Sequence, residues 1–230
     1  AATVSGPLTF GIGTQANNGS WAQNYFPDGR GYWTGNQLDE VALPVLLACK
    51  LKSVGALTIA TAVEHMLRQA VGYIVRNGPM SDEDRWEENA GVSPFTLTIS
   101  ICALVAVAEF FSAAESDYLL SLADSWNERI EAWTYVPQGL YCGTIGVKGY
   151  YVRLAPRAVD GGLKGQISVK NRDGEETIAA GDLVGMEFLY YVRAGLRAAD
   201  DPRIVDSLKV AEARLKVETP SGPSYHRYNG

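Results

Sequence analysis

Pro94-Phe95-Thr96-Leu97-Thr98-Ile99-Ser100-Ile101-Cys102-Ala103-Leu104-Val105-Ala106-Val107-Ala108-Glu109-Phe110-Phe111-Ser112 is apolar on almost every side of a helical period. A helix with Leu97, Ile99, Ile101, Leu104, Val105, Val107 and Phe110 spread around it must be surrounded by other helices. Ser93 is a good N-cap and Pro94 a good first helical residue, so the start is marked. The helices around it are read from the same period. Leu38 to Ser53 predicts one, with Pro44 in its first turn or kinking it. Ala60, Val63, Leu67, Val71 and Ile74 predict a one-sided helix stopped by Asn77-Gly78-Pro79. Leu119, Leu122, Trp126, Ile130 and Trp133 predict another. Leu189, Val192 and Leu196 predict a fifth beginning near Ala180, and Ile204, Leu208, Ala211 and Leu215 a sixth opened by Asp201-Pro202.

Between Pro137 and Ala179 the period breaks. Tyr150 to Leu154 and Gln166 to Val169 read as short strands, and Arg172-Asp173-Gly174-Glu175 as a turn. A β excursion of that length is structured and can wall a site. Stacked antiparallel helix pairs fit a helical toroid better than a four-helix bundle, although periodicity by itself does not separate the two.

The 230 residues can fill one large domain, read here as a single domain over 1–230. A net charge of −6 with acids and bases interspersed offers no patch that tracks phosphates, which argues against nucleic acid. Cys49, Cys102 and Cys142 are widely spaced and odd in number, and His65 and His226 are far apart, so neither a disulfide framework nor a metal site is expected. No cofactor is called for. No apolar run is long enough to predict a membrane span, and no signal peptide is visible, which leaves location open. Ala1 is not an initiator Met and Tyr228-Asn229-Gly230 reads as a turn beginning, so an interior fragment is expected.

The chemistry collects on loops. Asp84-Arg85-Trp86-Glu87-Glu88-Asn89 places two adjacent carboxylates beside a tryptophan, between two predicted helices. A carboxyl against an indole is partly desolvated, and desolvation favours the protonated form that a general acid needs. Adjacent residues cannot both reach one atom, so one donates and the other binds. The plain alternative is a solvated acidic pair favouring the next helix's dipole. Trp21 to Asn24, Tyr32 to Glu40 and Ser224 to Tyr228 also pair aromatics with amide, carboxylate or guanidinium groups. Sugars have apolar faces and hydroxyl rims, so such clusters point to a saccharide site.

On Trp33 through Glu40, Asp84 through Pro94, Gly149 through Arg153, Gly195 through Ile204 and Lys216 through Tyr228, the chain resembles glycoside hydrolase family 15, in its bacterial glucoamylase and glucodextranase branch. The resemblance implies an all-α fold, an (α/α)6 barrel, incomplete in this chain. It also implies exo-acting release of glucose from the non-reducing ends of α-glucans with inversion. It assigns the catalytic acid to Glu87 and substrate binding to Glu88, Trp33, Gln37, Asp39, Asp84, Trp86 and Arg227. Asp39 capping the helix it opens, and Arg227 pairing with a loop carboxylate, are the structural alternatives. An inverting enzyme needs a second carboxylate roughly 6.5–9.5 Å away, and the resemblance puts that base beyond Gly230 and an Arg-Asp pair before Ala1. Glu64, Glu109, Glu128, Glu187 and Glu212 are predicted to lie in helices and are not promoted to that role. A non-catalytic carbohydrate-binding module, or a transglycosylase or trehalase on the same fold, are the rival readings.

Overall fold

The computed structural model describes residues 12–33, 35–170 and 177–229. The expected turn at Arg172–Glu175 lies outside them, as does Thr34. Contacts divide the chain into two units, Ala1–Asp82 with Ile99–Asn127, and Glu83–Thr98 with Glu128–Gly230.

The first unit is built on a helical hairpin. Helix α1 (Leu38–Ser53) has the expected bounds, and helix α2 (Thr61–Asn77) buries its predicted stripe except for Ala60, which is the exposed N-cap. Leu38, Val41, Ala42, Val45 and Ala48 are buried on α1, and Val63, Met66, Leu67, Ala70, Val71 and Ile74 on α2. Pro44 lies in the second turn of α1 rather than the first, and the helix runs through it. The start of α1 is closed from outside: the Leu38 N–H donates to Ser81 Oγ at 3.1 Å, and that hydroxyl donates to the Asn36 carbonyl at 3.0 Å. Acidic Asp39 and Glu40 sit in the first turn and Lys50 and Lys52 in the last, matching the helix dipole. The expected helix at 94–112 is α3 (Pro94–Val107) followed by a 3-10 turn at Ala108–Phe110. Helix α4 (Ala113–Glu128) buries Leu119, Ala123 and Trp126, and the Trp126 ring abuts Gly78, where a side chain would collide with it. A two-stranded ribbon, β1 (Asn24–Tyr25) with β2 (Gly31–Trp33), precedes the hairpin.

The second unit mixes short helices with antiparallel ribbons. Helix α5 (Ile130–Thr134) separates from α4 at Arg129, so the predicted helix over 119–133 is two. Strand β3 (Tyr135–Pro137) pairs with β4 (Gly149–Tyr151) across the short helix α6 (Cys142–Ile145). Strand β5 (Gln166–Ser168) pairs with β6 (Thr177–Ala179). The β excursion therefore begins at Tyr135, two residues before the expected point. Leu154, Ile167, Val169, Ile178, Ala180, Leu183 and Tyr228 form its core.

The predicted fifth helix needs correction. Residues Ala180–Asp182 form only a 3-10 turn, Leu183 to Phe188 are irregular, and helix α7 spans Leu189–Arg193. The irregular stretch is held by long-range bonds instead. Leu183 O accepts from Arg153 N, and Val184 N donates to Asn229 Oδ1 at 2.7 Å. Helix α8 (Pro202–Leu215) starts where the sequence says, with the Asp201 carboxylate accepting from Arg203 N at 2.8 Å. It packs on β4, and the Ser207 hydroxyl accepts from Tyr151 N at 2.9 Å. Strands β7 (Lys216–Thr219) and β8 (Gly222–Tyr225) close a final hairpin. No described helix is long and apolar enough to cross a membrane.

Candidate active site

Four chain segments lie side by side in the second unit. Residues 91–92 pair with Ala155 through mutual Val92–Ala155 backbone bonds of 2.8 and 3.0 Å. Arg153 N reaches Leu183 O, and Gly185 bridges to Tyr228. The 84–92 loop thus gains a rigid backing from residues far away in sequence.

Asp84 organises the loop. It is 1% exposed, and its Oδ1 accepts from the backbone N–H groups of Trp86 and Glu88, both at 3.2 Å. Its Oδ2 is paired with Arg153 Nη2. Arg153 is equally buried, and the same nitrogen donates to Glu88 Oε2 at 3.1 Å. Its guanidinium also lies 4.5 Å from the centroid of the Tyr228 ring, and Tyr228 donates its hydroxyl to Glu88 Oε1 at 3.2 Å. Both oxygens of Glu88 are therefore engaged, each keeping a second lone pair.

Glu87 is turned by this arrangement. Its backbone N–H donates to Asp84 O at 2.8 Å, and its φ is +58°, in the left-handed region that costs a residue with a side chain about 1–2 kcal/mol. Lys170 Nζ donates to the Glu87 carbonyl at 3.0 Å, and Asn89 Nδ2 to Ser168 O at 3.0 Å. The β5 ribbon thereby braces the loop, as a site wall would. The side chain of Glu87 is half-buried. Strain of this kind persists only where the surroundings over-determine it, and it gathers at functional sites.

Trp86 is gripped on several sides. Its indole N–H donates to Glu187 Oε1 at 2.8 Å. The guanidinium of Arg85 lies 4.8 Å from the Trp86 ring centroid, and that of Arg227 lies 5.0 Å from it. Arg85 also covers the Phe95 ring at 4.3 Å. Glu187 is buried, its Oε2 has no hydrogen-bond partner, and burial pushes its carboxyl above the ordinary carboxylate range. Desolvation favours the neutral acid there, against the indole bond and the nearby Arg153 and Arg85.

The fold thus brings together Asp84, Trp86, Glu87, Glu88 and Arg227. The Arg227 guanidinium lies over the Trp86 and Tyr228 rings. Trp33, Gln37 and Asp39 belong to the other unit: Trp33 ends β2 and is 42% exposed, Gln37 is the buried residue before α1, and Asp39 is buried in its first turn. Gln37, not Asp39, occupies the N-cap position. Arg153 and Glu187 were not among the expected site residues. Each is a lone charge in an apolar run, Tyr150 to Leu154 and Leu183 to Tyr191, and a charge buried in such a run must find partners. Glu187 was expected within a helix; it sits in the turn before α7.

Comparison with known proteins identifies the family of the chain. The profile of glycosyl hydrolases family 15 matches residues 11–230. The chain belongs to this family. A glucoamylase of Clostridium sp. (strain G0005) is 32% identical over 218 residues, covering 93% of this chain and 29% of the relative. A crystal structure of a bacterial glucoamylase complexed with acarbose superposes with a TM-score of 0.82 at 30% identity, covering 96% of this chain and 32% of that one. The chain therefore spans about a third of the length of these relatives. Its fold class is that of the (α/α)6 barrel, of which it represents a part.

Proposed function

We propose that the protein containing this chain is an exo-acting, inverting α-glucan hydrolase that releases glucose from non-reducing ends, with Glu87 as its general acid. The observation that carries this reading is the left-handed backbone at Glu87, flanked by the Trp86 and Glu88 N–H groups that Asp84 holds, with Asp84 itself paired to Arg153. A carboxyl so placed can be aimed at a glycosidic oxygen without reorganising when the substrate arrives. Its proton passes to that oxygen as the C–O bond breaks, while water activated by a second carboxylate attacks the opposite face of the sugar. That second carboxylate is assigned to a part of the protein outside this chain.

Glu88 offers its remaining lone pairs to a sugar hydroxyl, and Arg153 and Tyr228 keep its carboxylate from rotating. Arg227 and Trp86 form one electropositive aromatic unit beside the acid. Asp84 acts through the loop it organises. Trp33, Gln37 and Asp39 are assigned to substrate binding, and both units to one catalytic domain, on family membership. The substrate class is an α-glucan oligosaccharide, the kind of ligand that the family relatives make the natural first test.

The test is Glu87→Gln in the full-length protein, assayed on maltooligosaccharides and isomaltooligosaccharides with the anomer of the released glucose followed by NMR. General acid catalysis contributes roughly 10²–10⁴-fold, so kcat should fall by that order with substrate affinity kept. Turnover within a few fold of the parent, or release of the α-anomer, would overturn the assignment.

A further inference from the structure

Glu187 stands out as a carboxyl buried in the turn before α7, where leaving water is costly. A polar group buried there must find a partner, and the Trp86 indole N–H supplies one at 2.8 Å. The second carboxyl oxygen has no partner. The space around that oxygen is kept by a glycine: a side chain at Gly185 would collide with Glu187 Oε2 and lie 3.2 Å from the Arg227 carbonyl. Gly185 is also the residue that bridges to Tyr228. Glu187 therefore stands between the Trp86 loop and the segment that carries Arg227.

We infer that Glu187 is a positioning residue for the acid: by holding the Trp86 indole at its N–H edge from outside the loop, it keeps the following residue, Glu87, in its left-handed backbone. This rests on the reading of Glu87 as the general acid. Two independent restraints then act on one strained residue. Asp84 holds the backbone on either side of Glu87 through the N–H groups of Trp86 and Glu88. Glu187 holds the neighbouring side chain. Without the second restraint the Trp86 ring can swing, the 86–87 peptide can rotate, and Glu87 can relax toward right-handed backbone, carrying its carboxyl off line. A misplacement of about 1 Å costs roughly 10²-fold in rate.

The experiment compares Glu187→Leu, Glu187→Gln and Trp86→Phe in the full-length protein on two substrates. Maltose needs its leaving group protonated; α-glucosyl fluoride has a leaving group that departs with little help from an acid. Glu187→Leu should lower kcat on maltose by roughly 10–100-fold while kcat on the fluoride falls by only about threefold or less, with KM little changed on both. Glu187→Gln, which keeps an acceptor for the indole, should recover most of the loss. Equal losses on the two substrates would mean a merely structural role and would overturn the inference, as would a Leu variant with full activity on maltose. Should Glu187→Leu fail to fold, Trp86→Phe removes the same hydrogen bond from the other end. Because Trp86 is itself assigned to substrate binding, this variant's KM can rise on both substrates, but kcat must still fall more on maltose than on the fluoride; an equal fall in kcat, or none, would overturn the proposal. Glu87→Gln run alongside keeps the two readings apart. If it loses activity equally on both substrates, Glu87 is not the acid. If it shows the maltose-selective loss and the Glu187 variants do not, only the positioning role fails.

Discussion

Replacing Arg153 with methionine would remove one long side chain of similar reach and leave its partners buried. Three contacts are lost together: the pair with Asp84, the 3.1 Å bond to Glu88 Oε2, and the guanidinium over the Tyr228 ring at 4.5 Å. Removing one partner of a buried ion pair costs about 3–5 kcal/mol, because the other charge is left uncompensated. Asp84 keeps its two backbone donors from Trp86 and Glu88, which softens the loss. The expected cost is therefore at the low end, about 3 kcal/mol. Asp84→Asn leaves the guanidinium without its nearest anion and should cost a similar amount. The double variant removes both charges, so its cost should fall short of the sum by about 2 kcal/mol or more. Hydrogen exchange followed by mass spectrometry on peptides covering residues 83–98 and 226–229 reads the local opening energy in all four proteins. Costs that simply add, or exchange in the 84–92 loop that stays as slow as in the parent, would refute the account of this pair as the fastening of the loop. Arg153→Lys should behave nearly as badly as methionine, because a compact ammonium cannot serve two carboxylates and an aromatic face from one position.

Glu87→Gly should remove turnover while raising stability by about 0.5–1 kcal/mol, since glycine adopts φ of +58° freely; a destabilised variant would mean that the backbone there is not strained. Gly91→Ala should destabilise by about 2 kcal/mol or more, because a Cβ would stand 2.5 Å from the Ala155 carbonyl in the bridge behind the loop, and a thermal midpoint equal to the parent's would contradict that packing. Burial raises the Glu131 carboxyl, but Arg197 at 2.7 and 2.8 Å and the Tyr151 hydroxyl at 2.7 Å outweigh it, so its titration lies below the ordinary 4.5. A depressed carboxylate stabilises above its unfolded value and loses that contribution as pH falls through its folded value. The stability gap between the parent and Glu131→Gln should thus be widest near neutral pH and close below about pH 4.5; a gap independent of pH would rule out the charged Glu131–Arg197 pair as its source.

Neighbouring residues determined the helices whose signals are local. Helix α1 runs from Leu38 to Ser53 as expected, α2 ends at Asn77 before Gly78-Pro79, and Asp201 caps α8 through the N–H of Arg203. The position of the Trp86-Glu87-Glu88 loop between α2 and α3 was legible for the same reason: Ser93-Pro94 and Asn77-Gly78-Pro79 punctuate the chain whatever lies elsewhere. The stretch from Ala180 to Phe188 misled, because a helix read from the spacing of Leu189, Val192 and Leu196 extends back to Ala180, whereas helix α7 covers only Leu189–Arg193. The backbone bonds of that stretch are instead taken by Arg153, Tyr228 and Asn229, a competition that no local pattern records. The same holds for what fastens the candidate acid. Arg153 is 69 residues from Asp84 and Glu187 is 101 from Trp86. Residue type told which groups could do chemistry, since a carboxyl or an indole carries its properties wherever it stands. Which of them were taken out of water, paired and held was decided only when distant segments came together, because desolvation and hydrogen-bond geometry depend on what surrounds a group in space.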